Sequence, residues 1–428
     1  MKAKLFALLM PFWFSFACAD NLLIIIPTRE NSQQFMQTLG VYYHYLSGEV
    51  DCRFLIVCDT DDQTMNNPEM LHQLSTYPGL TVKFGKRISE AEAFNRNDEP
   101  AEIILVASDC QFPIVQSYDK VIVDKMKENF PNLDGVLNFQ AKDTGKNINT
   151  IPVIGKNHYA FFNYIFHPSY RSASVAREEL TMTSRILARE VLIFQSLFEK
   201  VPSQRIKSRI KDVANVDYDK KVYLGRFNSN FGLNDAVFEQ FLPQVWSILI
   251  CTLDERVEQF SFIYNKLQGQ INANDLQDRV EILFFKDNRQ YSVGYKRNTL
   301  MRQSKGMYVN FIDDDDDVHD NYIKMIYEEL QSKPDCVSLT GIITFNGNWP
   351  CPFVHTIQHK DHYKIGNTFY NPPNHISTIK RSVASRFPFP DISYGEDYNW
   401  AMQICHSGLL QTESVITTPY YFYRYVDK

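Results

Sequence analysis

The stretch FIDDDDDVHD (311–320) sets five consecutive aspartates, Asp313 to Asp317, directly behind the apolar run YVNFI (308–312). Like charges this close raise one another's pKa, so the run must either be solvated or meet compensating positive charge. An acidic block by itself usually marks a solvated face or a tail. Here it lies in a chain with 44% hydrophobic and 14% aromatic residues, between two ordered-looking apolar segments, which reads as a loop with a function. At 428 residues the chain exceeds what one hydrophobic core serves, so two domains are expected. A formal net charge of −6 offers no global basic field for nucleic acid or an anionic membrane. Any polyanionic ligand must be held locally, by an ion or a few Lys and Arg.

The pattern around the run is strand, helix, strand, helix, strand. VWSILICTLDER (245–256) is a short apolar run with polar residues at its end, a helical stretch follows near 260–268, and VEILFFKDN (280–288) ends on Asp287. SVGYKRNTLMRQSKG (292–306) has helical spacing with Gly306 as a stop, and MYVNFI (307–312) leads into the aspartates. Such alternation predicts a parallel sheet with right-handed crossovers, whose ligands sit outside the carboxyl ends of the strands. The first half repeats the plan. NLLIIIPTRE (21–30), CRFLIVCDTDD (52–62) and AEIILVASDCQFP (101–113) are strands ending at Thr28, at Asp59 and at Asp109. The fold class expected is therefore α/β, with two tandem, mostly parallel domains at 20–204 and 244–428 joined by a helical and polar linker at 205–243.

The leader MKAKLFALLMPFWFSFACAD has Lys2 and Lys4, an apolar stretch from Leu5 to Ala17 and a small-residue Ala17-Cys18-Ala19 site, as a signal peptide over 1–19 has. Lipid attachment at Cys18 is the alternative, and a retained N-terminal strand a further one. Cleavage implies the secretory pathway or cell envelope, and a retained strand the cytoplasm. No later segment has the ~18 uninterrupted apolar residues of a spanning helix. Without Cys18 the eight cysteines become seven, several in strand-like runs, which reads as buried free thiols. There is no Asn-x-Ser/Thr sequon.

Carboxylates gathered at one strand end suit a divalent cation, and hard oxygen ligands suit Mg²⁺ or Mn²⁺. An EF-hand is excluded, because DDDDDVHDNYIK lacks both the central Gly and the final Glu. A calcium loop of another type remains open. Mg²⁺ usually takes one or two carboxylates together with substrate phosphates, which implies a ligand bearing a diphosphate.

Five features in order, Thr252, Asp287, GYKRN (294–298), FIDDDDD (311–317) and GEDYNWAMQI (395–404), resemble glycosyltransferase family 2, of GT-A fold, over roughly 245–425. The resemblance implies transfer of a sugar from a nucleotide-diphosphate donor to a hydroxyl acceptor on a glycan, lipid-linked or protein substrate, with inversion and a divalent metal. It makes Thr252 and Asp287 nucleoside contacts, and Arg297 a neighbour of the diphosphate, with Lys296 and Arg302 as alternatives. Asp313 and Asp315 become the DxD pair at the metal, Asp313 also near the donor and Asp315 the foremost direct metal ligand, with Asp314 between them. Asp316 and Asp317 are left as supporting or exposed residues. Asp397 becomes the base that takes the acceptor proton, with Glu396 as orienter or acceptor contact. An acidic pair complementing a helix dipole is the plainer account of Glu396-Asp397. His375, in NPPNHISTIKR (371–381), reaches the metal or acceptor, or is a satisfied structural histidine. Trp349 and Trp400 stack on a sugar or pack in the core.

The first half resembles a divergent GT-A domain, with Thr28, Asp59 and Asp109 at the corresponding strand ends as donor-binding positions. Asp109 stands alone at the DxD position, followed by Cys110, and Glu179-Leu180-Thr181 is a weak counterpart of the later acidic pair. This half reads as a second transferase or a degenerate one. Two rival readings remain: a nucleotidyltransferase, though ICTLDER lacks a glycine-rich phosphate loop, and a non-catalytic secreted module that binds carbohydrate or calcium.

Overall fold

The computed structural model describes residues 21–86, 89–140, 148–200 and 209–426, with the side chains of 209–214 left aside. The expected signal peptide and Cys18 lie outside the described residues. The chain forms two compact units, Met1–Ala173 with Leu192–Ile210, and Ser174–Val191 with Lys211–Lys428. The division differs from the expected boundaries: the segment 174–191 and the helix Arg209–Asn228 both go with the second unit, apart from the first two residues of that helix. Among the described residues, no helix is long and apolar enough to cross a membrane.

The first unit is built on parallel strands in the spatial order Leu80–Gly85, Asp51–Asp59, Asn21–Pro27, Ile103–Val106. Val153–Gly155 and Val136–Phe139 extend the sheet antiparallel. The strand order reverses between Asn21–Pro27 and Ile103–Val106, which is where a crevice for ligands opens in such sheets. Leu22 to Ile26 and Ile103 to Val106 are all buried, the continuous apolar signature of strands covered on both faces.

The second unit repeats this core and adds a second sheet. Val280–Asp287, Gln244–Leu253 and Gly306–Phe311 are parallel neighbours, and Ile379–Lys380 runs antiparallel to the last. Ile248 and Ile250 face one hydrophobic cluster with Ile263, Leu267 and Tyr322, while Leu249 faces another with Leu300, Val383 and Trp400. A strand alternates its side chains between faces, so both faces of Gln244–Leu253 are dry. The helices Val257–Ala273 and Val293–Gln303 make the two crossovers. The second sheet, ordered Asp317–Val318, Tyr421–Tyr425, Leu339–Phe345, Asn348–His355, Thr368–Asn371, Tyr363–Ile365, was not legible as a sheet in the sequence. Two of its pairings are hairpins between successive strands, Leu339–Phe345 with Asn348–His355 and Tyr363–Ile365 with Thr368–Asn371, but the others skip strands or join distant segments in mixed directions, so no local periodicity announces the sheet. All seven cysteines in the described residues are free thiols.

Candidate active site

The aspartate run leaves the carboxyl end of Gly306–Phe311, and each of its five carboxylates meets a different environment. Thr252, near the end of Gln244–Leu253, donates its hydroxyl to Asp314 Oδ2 at 2.7 Å. Arg256, in the short turn Asp254–Arg256 after that strand, reaches Asp314 Oδ1 at 2.6 Å and Asp315 Oδ2 at 3.0 Å. Asp316 is buried, accepting from Tyr421 Oη at 2.7 Å and from the Arg424 N–H at 2.8 Å. It is therefore a structural anchor between the loop and Tyr421–Tyr425, not an exposed residue. Burial pushes its carboxyl well above the ordinary range, and the Asp313 charge adds to the rise. Asp317 is held by Lys266 at 3.0 Å and Arg424 at 2.7 Å.

Asp313 and Asp315 carry what remains. The Asp315 side chain is 44% exposed. Its carboxyl is pushed up by partial burial and then by the charges of Asp313 and Asp314, against the pull of Arg256. Asp313 Oδ1 accepts from Arg297 Nη2 at 3.2 Å and Oδ2 lies 3.4 Å from His375 Nε2. Burial opposes its charge, but His375 and Arg297 outweigh burial and hold it well below the usual carboxylate range.

Arg297 connects the run to the acidic pair. Its guanidinium also meets Glu396 Oε1 at 2.9 Å and lies over the rings of Phe311 and Phe389, 5.5 and 5.6 Å from their centroids. It is buried among carboxylates and aromatic faces, a strut between Asp313 and Glu396. Lys296, one residue earlier on the helix, is buried against Asp287 at 2.8 Å and the Thr252 carbonyl at 3.1 Å. Burial opposes the Asp287 charge, but the Lys296 ammonium and the Tyr291 N–H more than offset it and hold its carboxyl below the ordinary value. Arg302, the other alternative, lies in the last turn of that helix.

Glu396 and Asp397 open the helix Glu396–Ser407 behind Gly395, whose φ of 76° is left-handed backbone that glycine takes without strain. Asp397 is 37% exposed at the side chain, and its Oδ2 lies 3.5 Å from His375 Nδ1. Burial raises its carboxyl less than His375 and Arg297 lower it, so it stays ionised at neutral pH. His375 thus sits between Asp313 and Asp397, fixed by its own carbonyl, which accepts the Phe311 N–H at 2.7 Å. Trp400 packs flat on Phe389 in the core, 4.7 Å between centroids, whereas Trp349 is exposed at a hairpin tip.

In this way the structure gathers Thr252, Asp287, Arg297, Asp313, Asp315, Glu396 and Asp397 into one connected set. Arg256 was missed by sequence reasoning. Its signal was present: a single arginine closing TLDER at the strand end beside five aspartates. Tyr421, 104 residues beyond the run's last aspartate, had no local signal.

In the first unit Thr28 donates to Asp109 Oδ2 at 3.0 Å, the same bond that joins Thr252 to Asp314. Asp109 lies three residues beyond Val106, and Asp314 three residues beyond Phe311. Asp109 therefore corresponds to Asp314, the middle of the expected DxD, and not to either flanking acid. Ser108 and Cys110 stand where Asp313 and Asp315 stand, with Ser108 Oγ 3.0 Å from Cys110 Sγ. Asp59 is ion-paired with Arg29. Glu179, expected as the counterpart acid of this half, belongs to the second unit and makes a two-pronged ion pair with Arg226 at 2.6 and 2.7 Å.

Residues 268–393 match the profile of glycosyl transferase family 2. This stretch belongs to that family. The family 2 stretch contains Asp287, Arg297, Asp313, Asp315 and His375, while Thr252, Glu396 and Asp397 lie outside it. No curated protein matches the chain. Among solved structures, the 1–349 fragment of TarS from S. aureus is 14% identical, with a TM-score of 0.31, over 42% of this chain and 60% of that one. The same fragment in complex with UDP-GlcNAc is 15% identical, with a TM-score of 0.31, over 43% and 60%. The mannosyltransferase PcManGT from Pyrobaculum calidifontis, in complex with GDP-Man and Mn²⁺, is 12% identical, with a TM-score of 0.38, over 51% and 67%. The chain thus spans about 60% of the TarS fragment's length.

For a divalent cation the donor set is restricted. Among the described residues no group of three or more His, Cys, Asp or Glu is arranged to hold a metal. Asp315, half-exposed and crowded by like charges, together with Asp313 offers the one or two carboxylates that Mg²⁺ or Mn²⁺ takes when water and a diphosphate complete its shell. The residues fit a cation shared with a donor and not a closed protein cage.

Proposed function

We propose that the chain is a glycosyltransferase that moves a sugar from a nucleotide-diphosphate donor to a hydroxyl acceptor, with inversion, using a site in its second unit. The carrying observation is the chain of contacts Asp315 to Arg256 to Asp314, and Asp313 to Arg297 to Glu396, with His375 between Asp313 and Asp397. It supports this reading because a carboxylate run suited to a diphosphate-bound cation is linked through His375 to a carboxylate suited to a base. Thr252 and Asp287 are the nucleoside side of this site, at the crevice where parallel strands end. Arg256, paired with Asp314 and Asp315 but partly exposed, is the guanidinium assigned to the diphosphate, because Arg297 is buried between Asp313 and Glu396.

In the reaction the acceptor oxygen attacks the anomeric carbon on the face opposite the diphosphate. The new C–O bond forms as the bond from that carbon to the phosphate oxygen breaks, and its electron pair leaves with the nucleoside diphosphate. The acceptor proton passes to Asp397, whose Oδ1 accepts the Tyr398 N–H at 2.8 Å and whose Oδ2 lies 3.5 Å from His375 Nδ1. Bound Mn²⁺ or Mg²⁺ would supply positive charge toward the leaving diphosphate. The signal-peptide-like leader supports action in a secretory pathway or cell envelope.

The test is release of nucleoside diphosphate, and transfer, across a panel of UDP- and GDP-sugars with Mn²⁺. Asp397→Asn is expected to lower transfer by about 10²–10⁴-fold, the contribution of a positioned base. Full transfer in that variant would overturn the assignment.

A further inference from the structure

Two exposed tyrosines flank Asp397 in the chain. Tyr394 is 76% exposed and Tyr398 49% exposed, with Ile392 exposed next to them. Solvated rings of this size ordinarily sit on mobile surface, but the segment that carries Tyr394 is fixed. Ser292 donates to Asp391, the Gly294 N–H donates to the Ile392 carbonyl at 3.0 Å, and the Val293 N–H donates to Ser393 Oγ at 3.4 Å. The approach is so close that a Cβ on Gly294 would lie 1.8 Å from the Pro390 oxygen. The loop is thereby fastened to the helix Val293–Gln303, which also carries Arg297. Gly395 then turns the chain into the helix that presents Asp397 and Tyr398.

A second group converges on the same place. The His362 ring lies 5.1 Å from the Tyr398 ring, and its Nδ1 is 2.7 Å from Asn371 Oδ1. Asn371 Nδ2 is in turn 3.0 Å from His355 Nε2. Burial pushes the His355 imidazole down to about 3, so it is neutral and accepts the Asn371 amide hydrogen. The Asn371 amide oxygen then accepts from His362 Nδ1–H, and in the neutral ring Nε2 is the nitrogen left to accept a hydrogen bond. Between Ile392 and Tyr398 the chain carries Glu396 and Asp397 and no Lys or Arg; Arg297 is taken up by Glu396 and Asp313, and Lys360 and Lys364, which flank His362, meet the Ile357 carbonyl and the Phe369 ring, so this edge disfavours a phosphate-bearing acceptor.

We propose that Tyr394, Tyr398 and His362 form an acceptor subsite for a neutral saccharide, whose ring lies on the tyrosine faces and delivers one hydroxyl to Asp397. A pyranose has an apolar C–H face and a rim of hydroxyls. Fixed aromatic planes beside a hydrogen-bond acceptor match both features and cost little ordering on binding. An alkyl chain needs a continuous apolar groove, and a peptide needs backbone partners. This inference rests on the transferase reading and names the substrate class at the same site.

The experiment measures, for one donor, the ratio of transfer to donor hydrolysis with three kinds of acceptor: p-nitrophenyl glycosides of glucose, galactose and N-acetylglucosamine, 1-octanol, and a Ser/Thr-containing hexapeptide. Transfer to a glycoside is expected. Tyr394→Ala and Tyr398→Ala are each expected to lower the ratio about tenfold through the acceptor KM, as loss of an aromatic anchor does. The Phe variants at both positions should retain the ratio, because they keep the ring. An unchanged ratio in the double alanine variant, or transfer confined to octanol or peptide, would overturn the proposal. So would donor hydrolysis with no glycoside accepting the sugar. Absence of donor turnover in the wild-type protein strikes the transferase reading itself, which keeps the two failures distinct.

Discussion

The two units solve the same structural problem with the same pair of residue types. In each, a threonine at the end of the first strand hydrogen-bonds an aspartate three residues past a neighbouring parallel strand, Thr28 to Asp109 at 3.0 Å and Thr252 to Asp314 at 2.7 Å. In each, the second strand ends on a buried aspartate paired with a cation, Asp59 with Arg29 and Asp287 with Lys296. These bonds satisfy buried polar groups where strands part, and they would be needed whether or not a ligand binds. The units differ in what flanks the shared aspartate. Ser108 and Cys110 flank Asp109, whereas Asp313 and Asp315 flank Asp314, and Asp313 is joined to Glu396 through Arg297 and to Asp397 through His375. The comparison teaches that the threonine–aspartate bridge belongs to the scaffold both units share, and that the proposed chemistry rests on the acids added around it in the second unit.

The strongest way to break this division is to remove one acid from each unit. Asp315→Ala is expected to lower transfer about 10³-fold, a loss typical of removing a group that stabilises developing charge, with melting temperature little changed. Asp109→Ala removes the acceptor of Thr28 and is expected to show first in the stability of its own unit. Loss of transfer only in Asp109→Ala would move the active site to the first unit.

The buried pair Asp287–Lys296 sharpens the comparison through pH. Both side chains are almost fully buried, so Asp287→Asn strands an uncompensated ammonium and should destabilise the second unit by about 3 kcal/mol. The Asp287 carboxyl is held below its ordinary value, so its contribution is fully present above the unfolded-state pKa near 4 and is lost as pH falls through the depressed folded value. The gap in melting temperature between wild type and variant should therefore be constant from pH 6 to 8 and should narrow below about pH 4. A constant gap down to the acid limit would show that the pair contributes no charge–charge stabilisation.

The smallest effect compares the bridges themselves. Thr28→Val and Thr252→Val each leave a buried carboxylate short of one donor and should each cost about 1–2 kcal/mol in denaturant unfolding. Nucleotide affinity, followed by titration with UDP and GDP, should fall in Thr252→Val alone. Equal falls in both variants would show that the first unit shares the donor site.

Much of this was readable along the chain. Apolar runs ending on Thr252, Asp287 and the aspartate run give parallel strands with their polar ends at one edge, because strands buried on both faces are continuously apolar. The acidic pair at 396–397 was legible as the opening of a helix. The separate fates of the five aspartates were not legible, since each depends on a partner far away in sequence: Arg256 for Asp314 and Asp315, Tyr421 for Asp316, Arg297 and His375 for Asp313. The correspondence of Asp109 with Asp314 was hidden for the same reason, because residue types suggested an incomplete DxD where a shared hydrogen bond sets the register.

The sequence alone determined where strands end and therefore which residues can meet at the sheet edge, because hydrophobic periodicity is a local property. Only the tertiary structure decided which of the gathered carboxylates are neutralised and which stay open to a ligand, because that depends on burial and on which cation the fold brings within about 3 Å.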